Sequence, residues 1–134
     1  MRFGLSIVAL TAPAFGNSAL AQEKKLEAAD RSNLELNFIV MPIVRDGVLE
    51  NYIFVLCNVR MQDVSQADFV REKHFLVRDA ITKQTSRNPI PAGKTRNSYD
   101  TGAISRAITT AITSIKPGLK VVKVQLTKVE FMGR

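Results

Sequence analysis

Four groups of side chains in this sequence have types that could do chemistry. His74 is the one histidine of 134 residues and Cys57 the one cysteine, and an imidazole or a thiolate can act as base, nucleophile or metal ligand. Arg78-Asp79 is an oppositely charged pair set among apolar residues, close to a second such pair, Arg71-Glu72. Arg87, Lys94 and Arg96 surround a segment rich in turn formers and could hold an anion.

Spacing removes most of that chemistry. No carboxylate cluster at ligand spacing accompanies His74, which follows Lys73 in a helical segment and reads as a solvated surface histidine. Cys57 lies inside an apolar run, where a thiol behaves as a small buried hydrophobe, and it has no partner for an intramolecular disulfide. Adjacent helical residues point about 100° apart, so Arg78 and Asp79 do not face each other. Arg71, Glu72, Arg78 and Asp79 are therefore read as a solvated face offered to a partner. The segment with Arg87, Lys94 and Arg96 leads to a helix N-terminus but has no Gly-Lys-Ser/Thr ending, so it reads as a loop whose alternative use is an anion contact. Serines and threonines are plentiful, yet no base is recognisable beside any of them. The expectation is a non-enzymatic protein with no catalytic, cofactor or metal site.

Composition sets the frame for these residues. With 46% hydrophobic and 23% charged side chains the chain suits one globular domain. Arg2, the apolar run from Phe3 to Ala14 and the small-x-small triplet Ala19-Leu20-Ala21 read as a cleavable signal peptide over 1–21, which sends the protein to the periplasm. A retained membrane anchor is the competing reading, but Pro13, Gly16, Asn17 and Ser18 interrupt the apolar run early. The net charge of +7 favours anionic surfaces such as lipid headgroups or cell-wall polymers. Export, the absence of tryptophan and the lack of a dense basic run argue against nucleic acid.

Residues 22–33 are charged and read as a linker. From Leu34 onward, Leu34, Leu36, Phe38, Val40 and Pro42 alternate on one face of a strand, and Pro42 suggests an edge position. Asp46-Gly47 is a tight-hairpin signal, so the run from Leu49 to Met61 should pair antiparallel, with Val55, Cys57, Val59 and Met61 inward. Ser65 is a candidate N-cap, with Asp68 three residues on, for one helix from Gln66 to Thr85. Its core stripe is read as Phe69, Leu76 and Ala80, with Val77 and Ile81 alongside. Asp100 or Thr101 caps a second helix carrying Ile104, Ile108, Ile112 and Ile115, which Lys116-Pro117-Gly118 stops. A last strand, Lys120 to Phe131, changes phase near its end, as a bulge would require. The predicted fold is α+β, in the order β-β-α-α-β, with an antiparallel or mixed three-stranded sheet packed by two helices.

The strand Tyr52 to Met61, the Gln62-Asp63 exit, the helix closing in Val77-Arg78-Asp79-Ala80-Ile81, the Ser98-Tyr99-Asp100 lead into an amphipathic helix and the Val121 to Phe131 strand carry a resemblance. Together they resemble the periplasmic domain of the flagellar basal-body-associated FliL family, over nearly all of 34–134. That resemblance implies a stomatin-like fold without enzymatic activity, self-association into oligomers and contact with the flagellar motor's stator, a membrane protein. The family is ordinarily held by an uncleaved N-terminal helix, and this chain differs there. Two functions follow as expectations: a periplasmic scaffold or interaction protein connected with motility, and, alternatively, a binding module for anionic lipid headgroups or cell-wall polymers, unrelated to motility.

Overall fold

A computed structural model describes residues 31–133. The signal peptide expected over 1–21 and the linker as far as residue 30 lie outside the described residues. The element order is β1 (Asn33–Arg45), β2 (Val48–Met61), α1 (Val64–Glu72), α2 (His74–Arg87), β3 (Ile90–Pro91), α3 (Thr101–Ile115) and β4 (Val121–Phe131). The fold is α+β, as the sequence predicts. The strands form one mixed sheet in the order β3-β1-β2-β4, in which β1, β2 and β4 pair antiparallel and the short β3 runs parallel to β1.

The hairpin closes where expected. Arg45 pairs with Val48 across Asp46 and Gly47, whose φ values of 53° and 79° form the left-handed pair that a two-residue turn needs. In β2 the alternation is strict: Ile53, Val55, Cys57 and Val59 are fully buried and Met61 nearly so. In β1 the inward row does not follow the predicted face. Leu34 and Leu36 are buried, the register then slips between Leu36 and Ile39, and Ile39, Met41 and Ile43 take over the core while Val40 turns outward. A bulge inserts one residue and so exchanges the two faces downstream of it.

The predicted single helix is two. Asp63, rather than Ser65, caps α1: its backbone is extended, its carboxylate accepts from Gln66 N at 2.9 Å, and Ser65 Oγ donates to the same oxygen at 2.8 Å. Asp68 pairs with Arg71 at 2.8 Å instead of closing a capping box. At Lys73 the backbone leaves helical geometry, and α2 begins at His74. The break resets the stripe, so that Ala67 and Val70, then Val77, Ile81 and Thr85, are buried. Leu76 stays exposed, contrary to the expected stripe, whereas Phe69 and Ala80 are half-buried and pack against the core as expected.

Helix α3 follows its reading closely. Asp100 accepts from Ala103 N at 3.1 Å as the N-cap, and Ile104, Ala107, Ile108, Ala111 and Ile112 are buried. Past Lys116 the chain turns at Gly118 with φ 91°. β4 then carries the expected bulge at Thr127 and a second at Val122, and directs Val121, Val124, Leu126, Val129 and Phe131 to the core side. All three helices pack on that one side, where burying each isoleucine or valine contributes roughly 1.5–3 kcal/mol.

Candidate interaction surface

No described helix packs on the opposite face of the sheet. Its side chains are set by the same registers: Val40 stands opposite Phe54, Pro42 opposite Tyr52, and Val44 opposite Leu49, with Leu56 next along β2. Val40, Leu49 and Tyr52 are 39%, 50% and 42% exposed, whereas Ile53 and Val55 on the helix-covered side have no exposure. The row is contiguous because opposite and diagonal cross-strand neighbours touch. Its rim is charged: Arg60 pairs in register with Lys123, Leu56 with Lys128 and Phe54 with Glu130, and Lys128 meets Glu130 at 3.1 Å. A contiguous apolar patch with a polar rim has the anatomy of a contact surface.

The four residues offered as a partner face are all exposed and make different contacts. Arg71 Nη2 donates to Arg31 O and Asn33 O, both at 2.6 Å, and Arg78 Nη2 donates to Asn37 O at 2.7 Å. Both arginines are thus turned toward the outer edge of β1. Asp79 forms an i,i+4 ion pair with Lys83 at 3.0 Å, and Glu72 is exposed.

Arg87, Lys94 and Arg96 are each exposed and enter no ion pair or hydrogen bond among the described residues. The loop that carries the last two is held by Arg45, which sequence reasoning did not single out. Its guanidinium donates to Gly93 O and Thr95 O, both at 2.9 Å, while Gly93 N donates to Ser98 O at 3.0 Å. A side chain at Gly93 would bring its Cβ to 2.8 Å from Ser98 Cβ, so only glycine fits this approach.

His74 lies beside Phe75 in an edge-to-face arrangement, centroids 6.0 Å apart, with Nδ1 3.3 Å from Arg71 O at the end of α1. In the tautomer protonated at Nδ1 it donates there. Cys57 is buried in the core, and burial pushes its thiol up to about 12, which keeps it neutral. Among the described residues no three His, Cys, Asp or Glu side chains gather as a metal site would require. No described helix is long and apolar enough to cross a membrane. One polar atom stands out: Asn37 Oδ1, at the β1 bulge, is buried with no hydrogen-bond partner, a condition that costs about 1–3 kcal/mol.

The class defined by these features is an α+β domain with one helix-covered and one bare apolar sheet face. Set against known proteins, the chain matches no family, no curated protein and no solved structure.

Proposed function

We propose that this chain is a non-enzymatic periplasmic scaffold or interaction protein of the FliL kind, with a stomatin-like domain, working at the flagellar basal body by contact with a membrane-protein partner or with further copies of itself. The observation that carries the reading is the bare sheet face of Val40, Leu49, Tyr52, Phe54 and Leu56, since large exposed apolar patches on a folded domain mark interaction sites. The resemblance runs through β2, α2, α3 and β4.

The test is genetic and direct. A deletion strain should swim poorly in soft agar, and the wild-type gene should restore swimming. The double substitution Tyr52→Glu/Phe54→Glu should not, although the protein still accumulates and shows a wild-type circular dichroism spectrum. Normal swimming of the deletion strain, or full rescue by the double variant, would overturn the proposal.

The second reading, a module for anionic lipid headgroups or cell-wall polymers, draws on the exposed charges of Arg87, Lys94 and Arg96, which enter no ion pair among the described residues. It requires binding to anionic vesicles or cell-wall polymer that disappears when all three are changed to glutamine.

A further inference from the structure

We infer that the outer edge of β4 is where two copies of this chain join, antiparallel about a two-fold axis, so that their sheets run into one another. This goes beyond the reading above, because it uses the edge of the sheet instead of its bare face and needs no flagellar role. β4 ends the sheet, and among the described residues no strand lies outside it. Its core-side row is left unfinished. Val129 and Val124 stand opposite Val55 and Val59, which have no exposure, yet both are only half-buried, as are Val121, Leu126 and Phe131. A further strand alongside would cover that row.

The backbone groups on this edge follow from the bonds on the other. Met132 N donates to Tyr52 O at 2.9 Å, Thr127 Oγ1 to Leu56 O at 3.0 Å and Gln62 N to Lys120 O at 3.0 Å, so the even-numbered residues of β2 turn their backbones toward β4. Residues paired in this way exchange their bonds, so Glu130, Lys128, Gln125 and Lys123 turn theirs back to β2. Val124, Leu126, Val129 and Phe131 therefore present their N–H and C=O groups outward.

Pairing β4 with itself must set outward residues against outward residues and keep the core-side row on the core side. Two registers that span both halves of the bulged strand do so. In the first, Val124 faces Val129 of the second copy, and Val122 to Phe131 overlap in full. In the second, Leu126 faces that Val129, and the Lys128 side chains of the two copies come to neighbouring positions. Charge separates the two. The first register opposes Lys123 to Glu130 and Gln125 to Lys128, each twice by symmetry, whereas the second crowds like charges, which is destabilising. Lys123 enters no ion pair among the described residues, and Glu130, already 3.1 Å from Lys128, gains a second cation.

The bulges at Val122 and Thr127 and the two lysines discourage an ordinary strand from adding here. A second copy brings the matching irregularity: in the first register Thr127 meets Leu126 beside the two-fold axis, so one bulge faces the other. The edge is thereby selective for its own sequence.

Sedimentation equilibrium on the purified chain, over roughly 10 μM to 1 mM, tests the pairing. In about 0.15 M salt the repulsion between two chains of net charge +7 is screened beyond about 8 Å, while charges in contact still act. The expected result is a reversible monomer–dimer equilibrium, with the Val124 and Val129 amides of the ¹⁵N-labelled chain moving and exchanging more slowly as concentration rises. Lys123→Glu and Glu130→Lys each place like charges opposite one another at two positions and should weaken the dimer about tenfold. The double variant Lys123→Glu/Glu130→Lys should restore it to within about threefold of wild type. Val124→Pro removes an N–H that points away from β2 and should abolish the dimer. Circular dichroism should be unchanged in the charge variants, whose side chains are exposed. A monomer at every concentration, movement centred on Tyr52 and Phe54 in place of Val124 and Val129, or a double variant no tighter than either single one would overturn the pairing. None of these outcomes alters the swimming test of the bare face, so the two readings fail separately.

Discussion

The two faces of β2 are built from equally apolar residues and meet opposite fates. Ile53, Val55, Cys57 and Val59 vanish under three helices, while Tyr52, Phe54 and Leu56, interleaved with them, form the middle of a bare surface. A half-covered antiparallel sheet ordinarily alternates apolar with polar residues. Here that alternation appears only at the far end, where Asn58 and Arg60 occupy the bare face. The bare half near the hairpin therefore carries more apolar surface than solvation alone would select, and that excess gives the interaction reading its weight. The two edges of the sheet differ in a parallel way. β4 is interrupted by bulges at Val122 and Thr127 and carries Lys123 and Lys128, devices that discourage addition of an unmatched strand. β1 has its carbonyls at Asn33 and Asn37 held by arginines, and β3 pairs with it only at Ile43 and Val44.

Substitution on opposite sides of the same strand gives the largest contrast. Ile53→Ala leaves a cavity under the helices and should lower unfolding free energy by about 2–5 kcal/mol, whereas Tyr52→Ser, one residue away, should stay within about 0.5 kcal/mol of wild type. Urea denaturation followed by circular dichroism measures both. Equal losses would mean that the bare face is packed against something in the isolated protein.

A smaller contrast lies at Cys57 and Leu56. Cys57→Ser puts a hydroxyl into the core with no partner and should cost about 1–3 kcal/mol, while Leu56→Ser on the half-buried bare face costs less. The thiol itself should react with Ellman's reagent about a hundredfold or more slowly in the folded chain than in urea. Burial raises its folded value from 9.0 to about 12, so the stabilising effect of keeping it neutral is complete below pH 9 and is lost as pH climbs from 9 toward 12. The Cys57→Ser variant should lack that alkaline decline.

How much of this was legible depends on the range over which each feature is decided. The Asp46-Gly47 turn, the inward row from Val55 to Met61 and the Asp100 cap depend on neighbours in sequence, and all three could be read there. Val40 and Pro42 could not be placed, because the bulge that reverses their faces depends on pairing with β2. Leu76 was assigned to the core because a continuous helical stripe passes through it, and the irregularity at Lys73 rotates that stripe away. The reach of Arg71 and Arg78 to carbonyls about 40 residues earlier leaves no local mark. Tyr52, Phe54 and Leu56 were not singled out in sequence, because they are as apolar as the row interleaved with them and which row the helices cover is a tertiary outcome.

The smallest effect belongs to Asp63, the cap of α1 just beyond the end of β2, whose carboxylate Ser65 Oγ supports. Asp63 is fully exposed, and the Gln66 backbone N–H, followed by Ser65 Oγ, holds its carboxyl below its ordinary value of 3.8. A depressed folded value means that the charged cap's contribution is present above pH 3.8 and is lost as pH falls through the lower, folded one. Asp63→Asn keeps an acceptor for Gln66 N but has no charge to titrate. The urea midpoint of wild type should therefore exceed that of Asp63→Asn slightly at pH 5, and the gap should close as pH is lowered below 3. Tyr52→Ser, on the bare face and remote from any titrating cap, should keep a constant offset from wild type across the same range. A gap between wild type and Asp63→Asn that persists undiminished at low pH would assign the cap's effect to hydrogen-bond geometry rather than to charge.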